Sequence, residues 1–179
     1  MSQGKYDSRS FKIRNRPYMY AIVAAIIVFI LVAPEVNEGK AMDPTIKDGS
    51  FVVMTKDRYS QKRGAPDLGQ VVILEKTAAK ELSEDNIIAR VTGLPGDRIK
   101  IQAGTFYRNG KEYNVKNAKG SLGGNVDLKL KENEVFLLCD NRDTVMDSRA
   151  KELGPVDMDM IRGNAKWILW PLSHMGGIK

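Results

Sequence analysis

Three short segments of this 179-residue chain set turn-forming residues and polar groups beside apolar runs, and each could carry chemistry. Residues 39–46 read GKAMDPTI, residues 89–98 read ARVTGLPGDR, and residues 140–149 read DNRDTVMDSR. The last gathers Asp140, Asp143 and Asp147, a carboxylate density that suggests calcium. It lacks the glycine and closing glutamate of an EF-hand loop, and Arg142 and Arg149 are placed to neutralise it. Thiol chemistry is poorly supplied. The single cysteine, Cys139, ends the apolar run 135–139 and suits a buried strand thiol better than a nucleophile. The single histidine, His174, reads as a tail residue. One cysteine also excludes an internal disulfide and any multi-cysteine zinc site. Neither a metal nor a cofactor is expected.

The elements that must position these segments are short. Runs rich in β-branched residues, such as FVVM at 51–54, VVILEK at 71–76, IIARVTG at 87–93, DRIKI at 97–101, EVFLLC at 134–139 and AKWILW at 165–170, alternate with Gly, Pro, Asn and Asp. This spacing predicts a mainly β domain of folded antiparallel sheets. Asn109-Gly110, inside TFYRNGKEY at 105–113, predicts a two-residue hairpin, because a type I′ turn needs positive φ at both positions. Residues 57–68 and 114–131 are polar and glycine-bearing and read as surface loops.

Ahead of the β runs, residues 18–33 (YMYAIVAAIIVFILVA) hold no charge over sixteen positions. That is short for a bilayer, which wants roughly 20 apolar residues, and extension to Val36 is needed for a crossing. Lys5, Arg9, Lys12, Arg14 and Arg16 face only Asp7 on the N-terminal side, which predicts a cytoplasmic N-terminus. A cleavable signal peptide fits less well, because the exit at 32–36 (VAPEV) lacks a small-x-small triplet. An amphipathic soluble helix fits least, since the run is apolar on every face. The expected organisation is a basic cytoplasmic segment at 1–17, a transmembrane anchor at 18–36 and an extracytoplasmic β domain at 37–179. Much of the net charge of +6 sits in the N-terminal segment. With no aromatic-interleaved basic stripe in the remainder, nucleic acid binding is not expected.

Taken together and in order, the three segments resemble the type I signal peptidase family. That family carries Ser-Met-x-Pro-Thr soon after its anchor, then Lys-Arg-Val-x-Gly-Leu-Pro-Gly-Asp, then Gly-Asp-Asn-Arg-x-x-Ser-x-Asp-Ser-Arg. Here the chain supplies AMDPT, ARVTGLPGDRIKI and CDNRDTVMDSRAKELGPV, supported by GQVVILEK, YRNGKEY and IRGNAKWILWPLSHMG. The resemblance implies a β domain of the signal peptidase type, a folded barrel or sandwich, held at the outer face of the membrane. It implies exported precursors as partners, bound as an extended strand, with small side chains in pockets that draw on Met42, Ile46, Ile87 and Ile88. Family enzymes cleave with a serine hydroxyl activated by an uncharged, buried lysine.

Neither residue is present. Resemblance places the nucleophile at Ala41 and the general base at Ala89, and a methyl group can neither attack a carbonyl nor accept a proton. Lys40 cannot substitute, since neighbours on an extended strand point to opposite faces. An active peptidase silenced by engineered alanines is one account, and a natural member that has lost catalysis is the other. The family's lysine-supporting serine is Val145 here, and its leading glycine is Cys139, which silencing would not require. Pro44, Thr45, Gly93, Pro95, Gly96, Asp97, Asp140, Asn141, Arg142, Asp147, Ser148 and Arg149 keep the family pattern and are expected to fix turns and pair charges. A groove kept without chemistry suggests binding of signal-peptide or pilin-type precursors, as an accessory in secretion or pilus assembly.

Overall fold

The β-branched runs form strands in the computed structural model, which describes residues 16–26, 32–75, 87–115, 117–144 and 146–178. In chain order the strands are β1 (Val32–Val36), β2 (Phe51–Thr55), β3 (Val71–Leu74), β4 (Ile88–Gly93), β5 (Arg98–Gln102), β6 (Thr105–Arg108), β7 (Lys111–Glu112), β8 (Val126–Lys129), β9 (Glu134–Leu138), β10 (Val156–Asp157), β11 (Ile161–Trp170) and β12 (Gly176–Gly177). They make a larger sheet ordered β1-β2-β11-β3-β4-β9-β10, with β12 added beside β11, and a smaller one ordered β7-β6-β5-β8. Every strand pair is antiparallel, so the mainly β expectation is met.

Strand periodicity sorts the core. β3 and β4 are buried on both faces, which is why VVIL reads as a continuous apolar run rather than an alternating one. Val72, Leu74, Ile87, Ala89 and Val91 join one cluster with Val135 and Leu137, while Val71, Ile73 and Ile88 join another with Met42, Ile46, Val52 and Met54. β9 continues the alternation, sending Phe136 and Leu138 to a third cluster under the small sheet, with Ile99, Ile101 and Phe106. Between β4 and β5, Asp97 closes the Gly-Leu-Pro-Gly turn: its carboxylate accepts from Leu94 N–H, Arg108 Nε and Asn109 Nδ2. Burial pushes its pKa up, but these donors outweigh that and hold it below the ordinary value. Asn109 and Gly110 both have positive φ, as the hairpin required.

Three differences from the sequence reading matter. The expected anchor at 18–36 is not one helix: 16–26 is helical, whereas Val32–Val36 pairs with β2 in register from Val32↔Thr55 to Val36↔Phe51. Pro34 and the β-branched valines favour extended backbone, and Glu35 is drawn to Arg162 at 2.5 Å. No helix among the described residues is long and apolar enough to cross a membrane. The second difference is β8, which lies inside the stretch expected to be loop at 114–131 and forms the edge of the small sheet. The third is β12 near the C-terminus, which pairs Gly177 with Trp167 and Gly176 with Ile168.

Gly163 on β11 is the tightest backbone crossing: a Cβ there would sit 2.2 Å from the Thr55 carbonyl oxygen. Because that neighbour is main chain, it cannot swing aside. Gly163→Ala is expected to destabilise the domain by at least about 2 kcal/mol, lowering Tm by roughly 4–8 °C. Thermal melts of the full chain in detergent followed by circular dichroism check this; an unchanged Tm contradicts the crossing.

Candidate functional site

The three segments singled out in the sequence meet at one buried ion pair. Arg90 on β4 donates to Asp140 through Nε at 2.7 Å and Nη2 at 2.6 Å, with side-chain exposures of 4% and 0%. This is the bidentate fork that arginine forms with a carboxylate. Arg90 Nη1 also donates to the Gly69 carbonyl at 2.6 Å. Thr45, from the first segment, donates its hydroxyl to Asp140 Oδ2. Asn141, next to Asp140, reaches the same turn from the other side: its backbone N–H donates to the Ala41 carbonyl at 2.9 Å, and its Nδ2 to the Lys40 carbonyl at 3.1 Å.

The remaining polar residues of the third segment hold that loop against β9. Asp147 accepts from Cys139 N–H at 3.0 Å and from Arg149 through Nε and Nη2 at 2.8 and 2.9 Å. Ser148 Oγ accepts from Leu137 N–H at 3.0 Å. Arg149 Nη1 donates onward to the Arg142 carbonyl at 2.9 Å. Asp140 and Asp147 are thus engaged by Arg90 and Arg149, while Asp143 accepts from Ser121 N–H. Arg142 is buried, and its Nη1 has no hydrogen-bond partner among the described residues. Burial lowers its pKa, against the pull of Asp147 and Asp140. Val145 lies outside the described residues.

Ala41 is half-buried in the turn, and Ala89 is fully buried. Ala89 faces the cluster of Val72, Leu74, Ile87 and Val91, opposite Val72 across the β3–β4 ladder. Among the four residues expected to line substrate pockets, Met42, Ile46 and Ile88 come together, but Ile87 belongs to the opposite face with Ala89. All four are buried. Ile178 packs on the Met42 cluster, and a cleft of about 450 Å³ opens between the C-terminal tail and Pro44 and Thr45. Pro95 and Gly96 lie in the turn closed by Asp97, and Gly93 packs against Ile99 and Phe136. Cys139 is sealed, its thiol donating to the Met146 carbonyl at 3.4 Å; burial, reinforced by Asp147, pushes its pKa far above the ordinary value. It is therefore a protonated thiol, not a nucleophile.

A family profile described as signal peptidase, peptidase S26, matches residues 12–170. The chain belongs to the signal peptidase S26 family. Signal peptidase IB of Staphylococcus aureus (strain Mu50) is 32% identical over 175 residues, covering 85% of this chain and 87% of that protein. Signal peptidase I P of Bacillus subtilis subsp. natto is 34% identical over 173 residues, covering 87% of this chain and 88% of the relative. A crystal structure of a signal peptidase I from Enterococcus faecalis V583 superposes with a TM-score of 0.46 at 20% identity, over 56% of this chain and 96% of its own. The Arg90–Asp140–Thr45 network joins the three ordered segments within the matched range.

Sequence reasoning did not find an apolar surface on the first three strands of the large sheet. Val36, Phe51 and Trp170 are direct cross-strand neighbours and all exposed, and Val53 pairs with Trp167 in the next outward row. Register shifts in β11 after Ala165 and after Ile168 turn both tryptophans outward where strict alternation would bury one. The signal was present as two tryptophans in AKWILW, but their facing depends on bulges that no sequence pattern reveals.

Removing one partner of the central pair leaves a buried charge, so Arg90→Met alone is expected to cost about 3–5 kcal/mol. Arg90→Met with Asp140→Leu should cost less than the sum of the single changes, with a coupling of at least about 1 kcal/mol. Urea denaturation of the four chains measures this, and additivity within about 0.5 kcal/mol contradicts the pairing.

Proposed function

We propose that this member of the family holds exported precursors, through their signal-peptide region or as pilin-type subunits, without cleaving them. The observation that carries the reading is the pair of alanines at 41 and 89 in a motif framework that is kept at Pro44, Thr45, Asp140, Asn141 and Arg142 and departs from the pattern at Cys139 and Val145. The Arg90–Asp140–Thr45 contacts support it, because they still fix the 41–46 turn against β4. So does the packing at Ala89, where valine, leucine and isoleucine close around a methyl group. Cys139, buried and protonated, is not a substitute nucleophile.

In this reading the chain is held at the membrane, its N-terminus cytoplasmic and its β domain outside, where exported precursors emerge. Because β1 begins at Val32, the apolar run left for the anchor is 18–31. Fourteen residues fall short of the roughly 20 that a full hydrocarbon core requires. The exposed Val36, Phe51, Trp167 and Trp170 offset the shortfall by settling the domain into the interface, where tryptophan is favoured.

The full chain in detergent, incubated with a signal-peptide precursor, is expected to retain it and to release no cleaved product by mass spectrometry. Specific cleavage after a small-x-small site overturns the proposal. In the Ala41→Ser/Ala89→Lys variant the new lysine overpacks its cluster at a cost of about 1–3 kcal/mol, and activity is expected to stay poor. Adding Val145→Ser should improve on it. A double variant as fast as an ordinary signal peptidase contradicts the reading.

A further inference from the structure

The loop that follows β2 plays no part in the site above, yet it is built rather than slack. Gly64 N–H donates to the Ser60 carbonyl at 2.9 Å and Arg63 N–H donates to the same oxygen at 3.1 Å, closing the tip. At the root, the Asp57 carboxylate accepts from Thr55 Oγ1 at 2.7 Å and Asn164 Nδ2 at 3.2 Å. Tyr59 donates to Gln70 Oε1 at 3.2 Å and accepts from Asn164 at 2.8 Å. Burial, with Asp57 and Asp67 nearby, pushes Tyr59 up to about 12, so its phenol stays neutral. Asp57 is therefore engaged at the root and Asp67 is exposed at the far end of the loop, while Arg58 and Arg63 are exposed and form no ion pair among the described residues.

Behind the loop lies a cavity of about 730 Å³, lined by Lys56, Arg58, Arg63 and Arg162 against Glu75 and Asp159. Arg162 is engaged by Glu35, which leaves Lys56, Arg58 and Arg63 against Glu75 and Asp159, a small positive surplus in which two of the three cations are loop arginines. The cavity also has a defined place relative to the chain's entry. Thr55, just before the loop, pairs with Val32, the first residue of β1. The loop thus emerges beside the point where the apolar run 18–31 joins the sheet.

We infer that this cavity receives the phosphate group of an anionic phospholipid headgroup, with Arg58 and Arg63 as its principal donors. The choice of a lipid source rests on the anchor reading, since that reading sets the cavity at headgroup depth. Guanidinium forks match phosphate oxygens geometrically, and an anionic leaflet favours basic groups held at its surface. The cavity lies within the size range of small-ligand sites and is large enough for a phosphoglycerol group.

The test uses the full chain in neutral detergent micelles carrying either phosphatidylglycerol or phosphatidylcholine, with bound lipid counted by native mass spectrometry. Phosphatidylglycerol is expected to bind more tightly than phosphatidylcholine. Arg58→Ala/Arg63→Ala is expected to weaken it roughly thirtyfold. Lys100→Ala/Lys129→Ala, which removes the same charge from the small sheet, is expected to leave it unchanged. Equal binding of the two lipids, or equal losses in both double variants, overturns the inference. So does inorganic phosphate, in a third arm, that competes as tightly as the lipid, because the site is then one for a soluble anion. Alkaline extraction of membranes reports on the anchor separately. A chain that is extracted, yet still selects phosphatidylglycerol through the two arginines, removes the anchor reading and leaves the headgroup site standing.

Discussion

One ion pair holds the site together. Arg90 and Asp140 come from strands and loops fifty residues apart, are both withdrawn from water, and meet through two hydrogen bonds. Burying two charges is costly, and that cost is offset by the further hydrogen bonds that Arg90 and Asp140 make. Thr45 supplies the third point, Gly69 takes the spare guanidinium N–H, and Asn141 stitches the neighbouring backbone to Ala41. The pair therefore does what a hydrophobic contact could not: it fixes both the distance and the rotation of the 41–46 turn relative to β4.

A second polar cluster repeats the arrangement one loop further on. Asp147 and Arg149 satisfy each other and the strand edge at Cys139, while Ser148 takes the N–H of Leu137. These contacts seat the 140–149 loop on β9, so that Asp140 arrives already aimed at Arg90. Such a framework is indifferent to what stands at 41 or 89, because it touches the first only through a main-chain carbonyl and the second not at all among the contacts described. The contacts that position the three segments therefore do not depend on the side chains at 41 and 89.

Much of the fold was legible because burial on two faces leaves an unmistakable mark. VVIL, IIARVTG and EVFLL could be read as strands from composition, and Asn109-Gly110 fixed its hairpin by backbone chemistry alone. β1 was not legible, since its valines continue an apolar run whose first part is helical, and period alone does not divide them. β8 was hidden by glycines and charges that suit an edge strand as well as a loop. At the site, the motif residues were all identifiable, but Ile87 and Ile88 looked equivalent until strand alternation sent them to opposite clusters. That Arg142 Nη1 has no hydrogen-bond partner among the described residues could not have been foreseen, because pairing between neighbours on one loop depends on its path rather than on its sequence.

The unequal surroundings of Ala41 and Ala89 give the sequence a direction of change. Position 41 is half open and held by its own main chain, so a small polar side chain can come and go there at little cost. Position 89 is sealed among branched apolar residues, and a long amine must displace them before it can be accommodated. Serine at 41 leaves the packing as it is, whereas lysine at 89 costs stability first. The two positions thus differ in what a new side chain asks of the fold: 41 takes a small polar group as it stands, whereas 89 takes a long one only after its neighbours make room.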